Sequence, residues 1–454
     1  MRSRSRSSWW PAPPARFTLA LSLTVTTGCD GDTTETSTPD PDPKPACGGA
    51  VLDAVRVSAG GRVTLPLSSE LAPEVTEVTA SSEVDAWIEG GEIVVRAGYD
   101  AATATVTATC TDGSIETTVE VGAFSMEPLV SWTDEVGAPP GREYFAWWMG
   151  EDRAVYLYGG FVYQPEQFTP STDSFRFDLE TLTWSQLAGD GAPPPPGGRV
   201  ARGDEGAMLY FGGTAVGAGG SLSTPPNLSQ IVTTQDTATF STLDADGAPG
   251  SYTGSFIHDA KRDRWLSVCG VDADVLGLHC KVHAYDGASF SELEVEGDEP
   301  KGRYGFHYAF DEPNDRVVIF AGQTGSANTA IGGDTWALEL APDGGGAPRW
   351  VQLFEEVEGI SKRRNGGYAY DPVGRRMFVW GGTPDGAMSV KGLDVLSLDP
   401  GRERWTHLDL SNDIPSRTSG AGVYDPIEEK ILWGFGNDAA VYRDLYVLSL
   451  AAPE

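Results

Sequence analysis

Asp371-Pro372-Val373-Gly374-Arg375-Arg376-Met377-Phe378-Val379-Trp380-Gly381-Gly382 is a turn, a short apolar run and a glycine pair in immediate succession. A loop leads on to Asp394-Val395-Leu396-Ser397-Leu398-Asp399, and then to Trp405 and Leu408. Each apolar piece spans only a few residues and is bounded by Gly, Asp or Pro. That is the length of a strand and too short for a helix.

The same phrase is heard along the chain. The apolar-to-glycine step recurs as Tyr156-Leu157-Tyr158-Gly159-Gly160 and as Leu209-Tyr210-Phe211-Gly212-Gly213. It weakens at Ser267-Val268-Cys269-Gly270 and Ile319-Phe320-Ala321-Gly322, returns at Gly381-Gly382 and fades at Trp433-Gly434-Phe435. Taken from Gly160, Gly213, Gly270, Gly322, Gly382 and Phe435, the period lies between fifty and sixty residues. A strand-only repeat of that length suggests a propeller blade. The glycine pair, the Asp-led strand after it and the later Trp resemble kelch repeats over residues 126–454. The expected fold class is all-β: a six-bladed kelch-type β-propeller preceded by a small β-sandwich. No seventh glycine mark supports a seven-bladed ring.

The ends of the chain read differently. Arg2, Arg4, Arg6 and Arg16 precede a short apolar stretch, Phe17 to Val25, and Cys29 follows Thr26-Thr27-Gly28. This pattern reads as an export signal over 1–28, too short to span a bilayer. It resembles a bacterial lipoprotein signal with Cys29 as the lipidated residue, although Thr26 stands where that pattern prefers Leu. Residues 29–45 are Asp, Thr and Pro with almost no apolar side chain, which reads as a disordered tether. The expected location is the bacterial outer membrane or periplasm, lipid-anchored, or secreted if Cys29 is not acylated. Two acyl chains hold a protein at a membrane without a helix. The formal charge of −33 disfavours nucleic acid by phosphate repulsion.

Residues 46–124 alternate in about seven short strands, with Gly90-Gly91 as a tight turn. That density argues for a small sandwich, and the module resembles bacterial immunoglobulin-like domains. With Cys29 set aside, four cysteines remain, and three pairings are possible. Cys47–Cys110 and Cys269–Cys280 keep each bond within one domain and are expected as disulfides, consistent with export.

Residues 125–454 form the propeller. Fourth strands carry Trp184, Phe240, Phe290, Trp350 and Trp405, one short of six. The missing one is expected upstream at Leu129-Val130-Ser131-Trp132-Thr133, so that a strand around Trp132 closes the ring and removes its edges. The turns beginning at Asp259, Asp311, Asp371 and Asp425 repeat and read as architecture rather than as metal ligands.

A recurring Arg stands at the start of each innermost strand: Arg142, Arg199, Arg303, Arg364 and Arg417, with Tyr252 at the matching place in the third blade. Pointing to the axis, they make a cationic collar able to grip carboxylates or phosphates. Tied to their own blades, they are structural. Tyr163, Phe168, Tyr252, Tyr304 and Tyr368 offer flat faces to a sugar or to blade packing. The five histidines, His258, His279, His283, His307 and His407, make no chelating motif, and no P-loop or nucleophile elbow is present. Among kelch-type propellers the resemblance admits copper radical oxidases, which need two His, two Tyr and a Cys linked to a Tyr, and sialic-acid isomerases, which have six blades. Neither a metal nor a cofactor is expected. With no catalytic constellation legible, the sequence reads as a non-enzymatic, monomeric cell-envelope protein that binds a protein or glycan through the loop-rich propeller face. The alternative is a sugar-acid isomerase, or another carbohydrate-active propeller enzyme, that uses the Arg collar.

Overall fold

The computed structural model describes residues 46–454 except 66–74, 131–136, 165–166, 204–205, 217–221, 245, 272–276, 327–329, 343–344, 412, 439 and 451–454. The leader, the tether, Cys29 and Trp132 lie outside the described residues.

The glycine pairs are backbone devices. Gly159, Gly212 and Gly381 all have positive φ, and so do the glycines that follow them. Where the first glycine is replaced, Cys269, Ala321 and Phe435 keep a left-handed φ of 52°, 58° and 60°. The sixth repeat is therefore marked by Gly436, at φ 88°, one residue after the Phe435 expected from the sequence. The kinks shift the ladder register in the first and third sets, where pairing then continues, and end the second strand in the other four. A Cβ on Gly381 would lie against the Arg417 carbonyl, so only glycine fits without displacing backbone there.

The strands fall into four-stranded antiparallel sets with a propeller-like order. The fifth set, Gly367–Asp371, Arg376–Trp380, Leu393–Ser397 and Arg404–Leu408, is representative. Its second strand is buried along its whole length, because neighbouring sheets pack on both its faces. That double burial explains why it reads as an unbroken apolar run rather than an alternation. Equivalent sets start at Ala146, Arg199, Ser255, His307 and Ala421. The first two sets are joined: Ala188–Gly191 runs parallel to Thr237–Phe240.

The last set is completed by an upstream strand, as expected, but by a different one. Ser125–Val130 pairs antiparallel with Leu445–Ser449, with Met126 opposite Leu448. Trp405 opposite Leu396 and Trp350 opposite Leu338 hold the same place in their sets. Met126 thus takes the position assigned to Trp132. It is buried against Trp433 and Tyr446, and a long thioether fills the space that an indole fills elsewhere. Pro128 is tolerated in this outermost strand because no ladder bond is asked of its nitrogen.

The Asp-led turns are occupied by the protein itself. Asp259, Asp311 and Asp371 are buried and accept from Arg264, Arg316 and Arg376 of the following strand. Asp371 also accepts the backbone N–H groups of Val373 and Gly374.

Residues 46–124 form two sheets. One runs in the order Val55–Val57, Gly113–Val121, Ala102–Cys110, Val75–Ala80. The other runs Arg62–Leu65, Glu92–Ala97, Val84–Glu89. Leu65, Val84, Val95, Val106 and Val119 fill the space between them. Gly90 and Gly91 both take positive φ, the requirement of a tight hairpin turn. Both disulfides form. Cys47–Cys110 ties the opening turn to the end of a long strand, and Cys269–Cys280 bridges the second and third strands of one set. Closing the longer loop removes about 4 kcal/mol of unfolded-chain entropy on a loop-closure estimate.

This module is docked rather than free. Arg96 reaches across to Asp399 at 2.8 Å and donates to the Gly374 carbonyl, while Arg376 of the fifth set donates to the Ala59 carbonyl of the module. Tyr99 and Ala59 join the same apolar cluster as Trp380 and Trp433.

Candidate active site at the ring axis

Four arginines repeat one constellation. Arg303 donates from Nη1 to the Ala321 carbonyl at 2.9 Å and forms a two-armed pair with Asp334 at 2.8 Å on each arm. Arg142 does the same with the Gly159 carbonyl and Asp173, and Arg417 with the Phe435 carbonyl and Asp444. Arg363 donates to the Gly381 carbonyl and, through one arm, to Asp394, whose other oxygen is bonded to His407. All four are buried, and each is bound inside its own set. Each satisfies the carbonyl turned inward by the glycine kink and the Asp that opens the third strand. The function is to hold the sheet at its bend.

The sequence-expected collar therefore does not form. Arg142, Arg303 and Arg417 are in-sheet ties. In the fifth set that role belongs to Arg363, so Arg364 was assigned one residue out of register. Arg199 stands further along, at the first residue of its innermost strand. Pro195 and Ser251 occupy the tie position in the second and third sets.

What replaces the collar is a second repeated device. Two residues after the tie position, the chain takes a left-handed conformation in every set: Tyr144 (φ 53°), Gly197 (92°), Thr253 (54°), Gly305 (62°), Asn365 (54°) and Ser419 (55°). Four of these are not glycine, and each such residue costs on the order of 1 kcal/mol or more. The kinks are bonded one to the next: Asn365 N–H donates to the Gly305 carbonyl at 2.8 Å, and Ser419 N–H to the Asn365 carbonyl at 2.6 Å. Asn365 Nδ2 donates to the Tyr144 hydroxyl at 2.9 Å. Successive sets thus meet around one axis.

Inside this belt lies a cavity of about 190 Å³. Small residues at and just before the innermost strands leave the space, including Gly305, Gly366, Gly420 and Ala421. Chemistry comes from Arg199, Tyr144, Tyr308, Tyr368, Asn365 and Ser419. The first innermost-strand residues of the six sets are Ala146, Arg199, Ser255, His307, Gly367 and Ala421. Only Arg199 carries a charge among them. His307 is fully buried, its Nε2 accepts from Gly366 N–H at 3.0 Å, and burial with nearby Arg363 presses its pKa down to about 3. It stays neutral.

Arg199 donates to the Gly198 carbonyl at 3.3 Å and to the Tyr368 hydroxyl. Tyr252, Tyr308 and Tyr210 also surround it. Among the described residues no carboxylate pairs with it. Burial pushes the Tyr252 and Tyr368 hydroxyls well above their usual range, so both are neutral partners for the guanidinium.

The residues directly after the ties, here called the rim, are Glu143, Pro196, Tyr252, Tyr304, Arg364 and Thr418; none of them lines the cavity itself. Arg364 donates to the Tyr304 hydroxyl at 2.9 Å and to Gln323 Oε1. Tyr252 packs at 5.7 Å from Tyr144. Glu143 is buried, and burial raises its pKa to about 7, only partly opposed by the hydrogen bond from Tyr163. Tyr163 donates to Glu143 at 2.9 Å and accepts from Asn437 Nδ2 at 2.8 Å. Of the other aromatics singled out, Tyr368 lines the cavity and Tyr304 stands on the rim; the Phe168 side chain lies outside the described residues. Glu143, Tyr144, Tyr308, Asn365 and Ser419 were missed. The signal available was their fixed offset from the repeated Arg.

Residues 274–454 match the KLHDC2/KLHL20/DRC7 Kelch-repeats domain. Among solved structures, that titled "Structure of YjhT" matches with a TM-score of 0.51 and 13% identity, over 70% of this chain and 99% of that one. No curated protein matches the chain. The expectation of a non-enzymatic scaffold is thereby corrected. YjhT aligns over 99% of its length with 70% of this chain, and the cavity holds Arg199, which has no carboxylate partner among the described residues, with the hydroxyls of Tyr144, Tyr308, Tyr368 and Ser419. A bland presentation surface has no need of these groups. The chain carries a kelch-repeat domain with a propeller-like, all-β fold.

Proposed function

We propose that this protein is a carbohydrate-active enzyme that isomerises a sugar acid in the axial cavity. One observation carries the reading: Arg199, half-buried, lines the axial cavity with tyrosines around it and no carboxylate among the described residues to neutralise it. A partly desolvated cation of this kind gains from an anion that completes it. A ligand carboxylate fits the guanidinium fork, while Tyr144, Tyr308, Asn365 and Ser419 offer hydrogen bonds and flat contacts suited to a polyol. The resemblance to kelch-type sugar-acid isomerases agrees with this chemistry.

The test mixes purified protein with a panel of sugar acids and neutral sugars of similar size, and follows isomer exchange by NMR. Exchange is expected with an acid and not with its neutral counterpart. Arg199→Gln should weaken acid binding about 10- to 100-fold, the worth of charge-assisted hydrogen bonds. Equal handling of acids and neutral sugars would overturn the reading.

Around this site we propose a ring of six blades closed by Ser125–Val130. The repetition of the left-handed kink in six sets supports that count. We also propose that residues 46–124 are an immunoglobulin-like module, and that the chain is exported and held by lipid on Cys29. Fatty-acid labelling of wild type against Cys29→Ser checks the anchor; equal labelling sinks it.

A further inference from the structure

The rim positions of the six sets are neither alike nor neutral. Five carry Pro196, Tyr252, Tyr304, Arg364 and Thr418; one carries a carboxyl, Glu143. Its side chain is 7% exposed. Among the described residues no cation lies within ion-pair distance of it. Its described partner is the Tyr163 hydroxyl at 2.9 Å. The other titratable groups facing it are the hydroxyls of Tyr144 and Tyr252. The Arg364 charge acts on the same Tyr144 hydroxyl.

A buried acid without a cation is expensive to keep ionised. Its surroundings also provide a route for protons. Tyr163 is 40% exposed, so its hydroxyl joins the buried carboxyl to the outside. Asn437 holds that hydroxyl from its other side, and Asn437 is itself fixed by the Thr418 hydroxyl at 2.9 Å. The next residue, Tyr144, is the left-handed kink that lines the cavity. Glu143 does not itself line the cavity, but its carboxyl acts on the hydroxyls of Tyr144, which does, and of Tyr252.

We propose that Glu143 is the proton-transfer group of the axial site, served by Tyr163 and Asn437. This inference rests on the sugar-acid reading above. In the step, the Glu143 carboxylate takes the proton of the ligand's anomeric hydroxyl while the O–H electron pair forms a carbonyl bond and the ring C–O bond breaks, freeing the ring oxygen. The same proton returns to a different oxygen of the rearranged ligand, and the carboxylate is restored. No oxidant, reductant or second substrate is consumed.

The experiment compares wild type, Glu143→Gln and Tyr163→Phe on the sugar acid that wild type exchanges most rapidly. Glu143→Gln keeps the shape and an acceptor for Tyr163. It is expected to lower kcat at least 100-fold, in the range of a lost general acid–base group, with binding changed less than about threefold. The wild-type pH profile of kcat/KM should bend near 7 and lose that bend in Glu143→Gln. Tyr163→Phe removes the bond that favours the ionised carboxyl, so the bend should move to higher pH. Carbon NMR of labelled glutamate follows the carboxyl without turnover. A Glu143 signal titrating in the ordinary carboxylate range overturns the proposal whatever the activity. Turnover by Glu143→Gln close to wild type, with the bend intact, overturns it and leaves the sugar-acid reading standing. Failure of wild type to bind or exchange any sugar acid overturns both.

Discussion

Arg303 and Arg199 stand near the start of two repeats, the fourth and the second, yet they do opposite things. Arg303 spends its guanidinium on Asp334 and the Ala321 carbonyl of its own sheet. Arg199, four residues further along its repeat, faces a cavity and tyrosines. The difference is register. An arginine at the tie position meets the carbonyl bent inward by the glycine kink. An arginine beyond the left-handed kink has passed that carbonyl and points to the axis. Residue type alone does not separate a strut from a site.

The sharpest way to break this comparison is to remove each charge and measure stability. Arg303→Ala leaves Asp334 without its partner, and loss of one member of a buried pair costs about 3–5 kcal/mol. Arg199→Gln should cost less than about 1 kcal/mol, because no described carboxylate is left behind. Denaturant melts of the two variants decide it, and equal losses would mean that Arg199 is a strut as well. Ligand binding should invert the order: Arg199→Gln loses the sugar acid, while a folded Arg303→Lys retains it.

Glu143 adds a pH dimension. Its folded pKa, near 7, lies above the usual carboxyl value of 4.5. The fold therefore binds this proton more tightly than the unfolded chain does. The stability it contributes is full below about pH 4.5 and is lost as pH rises through 7. Glu143→Gln removes that penalty and should be more stable than wild type at pH 8 by about 1–3 kcal/mol, with the gap closing below pH 5. A constant gap across pH would place the carboxyl outside the buried rim. The smallest effect belongs to Thr253, a β-branched residue at φ 54° whose hydroxyl is buried without a hydrogen-bond partner. Thr253→Gly should raise stability by up to about 1 kcal/mol through relief of the kink, offset by lost packing. A clear loss would show that packing outweighs the kink.

The repeat was legible because both halves of the glycine pair have a backbone reason to be glycine, and because fully buried second strands make unbroken apolar words. The closing strand was half legible. Its existence followed from a count of strands, but its anchor is Met126, and an aromatic was sought where a thioether sits. Arg363-Arg364 shows why the site was harder. Two adjacent arginines offer two registers, and only the partner Asp394 chooses between them. Glu143 was not legible at all. Its value as an acid comes from burial and from Tyr163, which arrives from a distant part of the same set.

The salt links between the first module and the fifth sheet have a thermodynamic consequence. Arg96 is 3% exposed and Asp399 equally buried, and they belong to different modules. Undocking breaks this pair, the Arg62–Asp399 pair and the bonds to the Gly374 and Ala59 carbonyls together. Neither module can open first at low cost, so heat should find one cooperative transition rather than two. Arg96→Met with Asp399→Leu exchanges the charges for apolar contact. If the ions are what couple the modules, the calorimetric trace of that pair should split while the ring itself still melts where it did before.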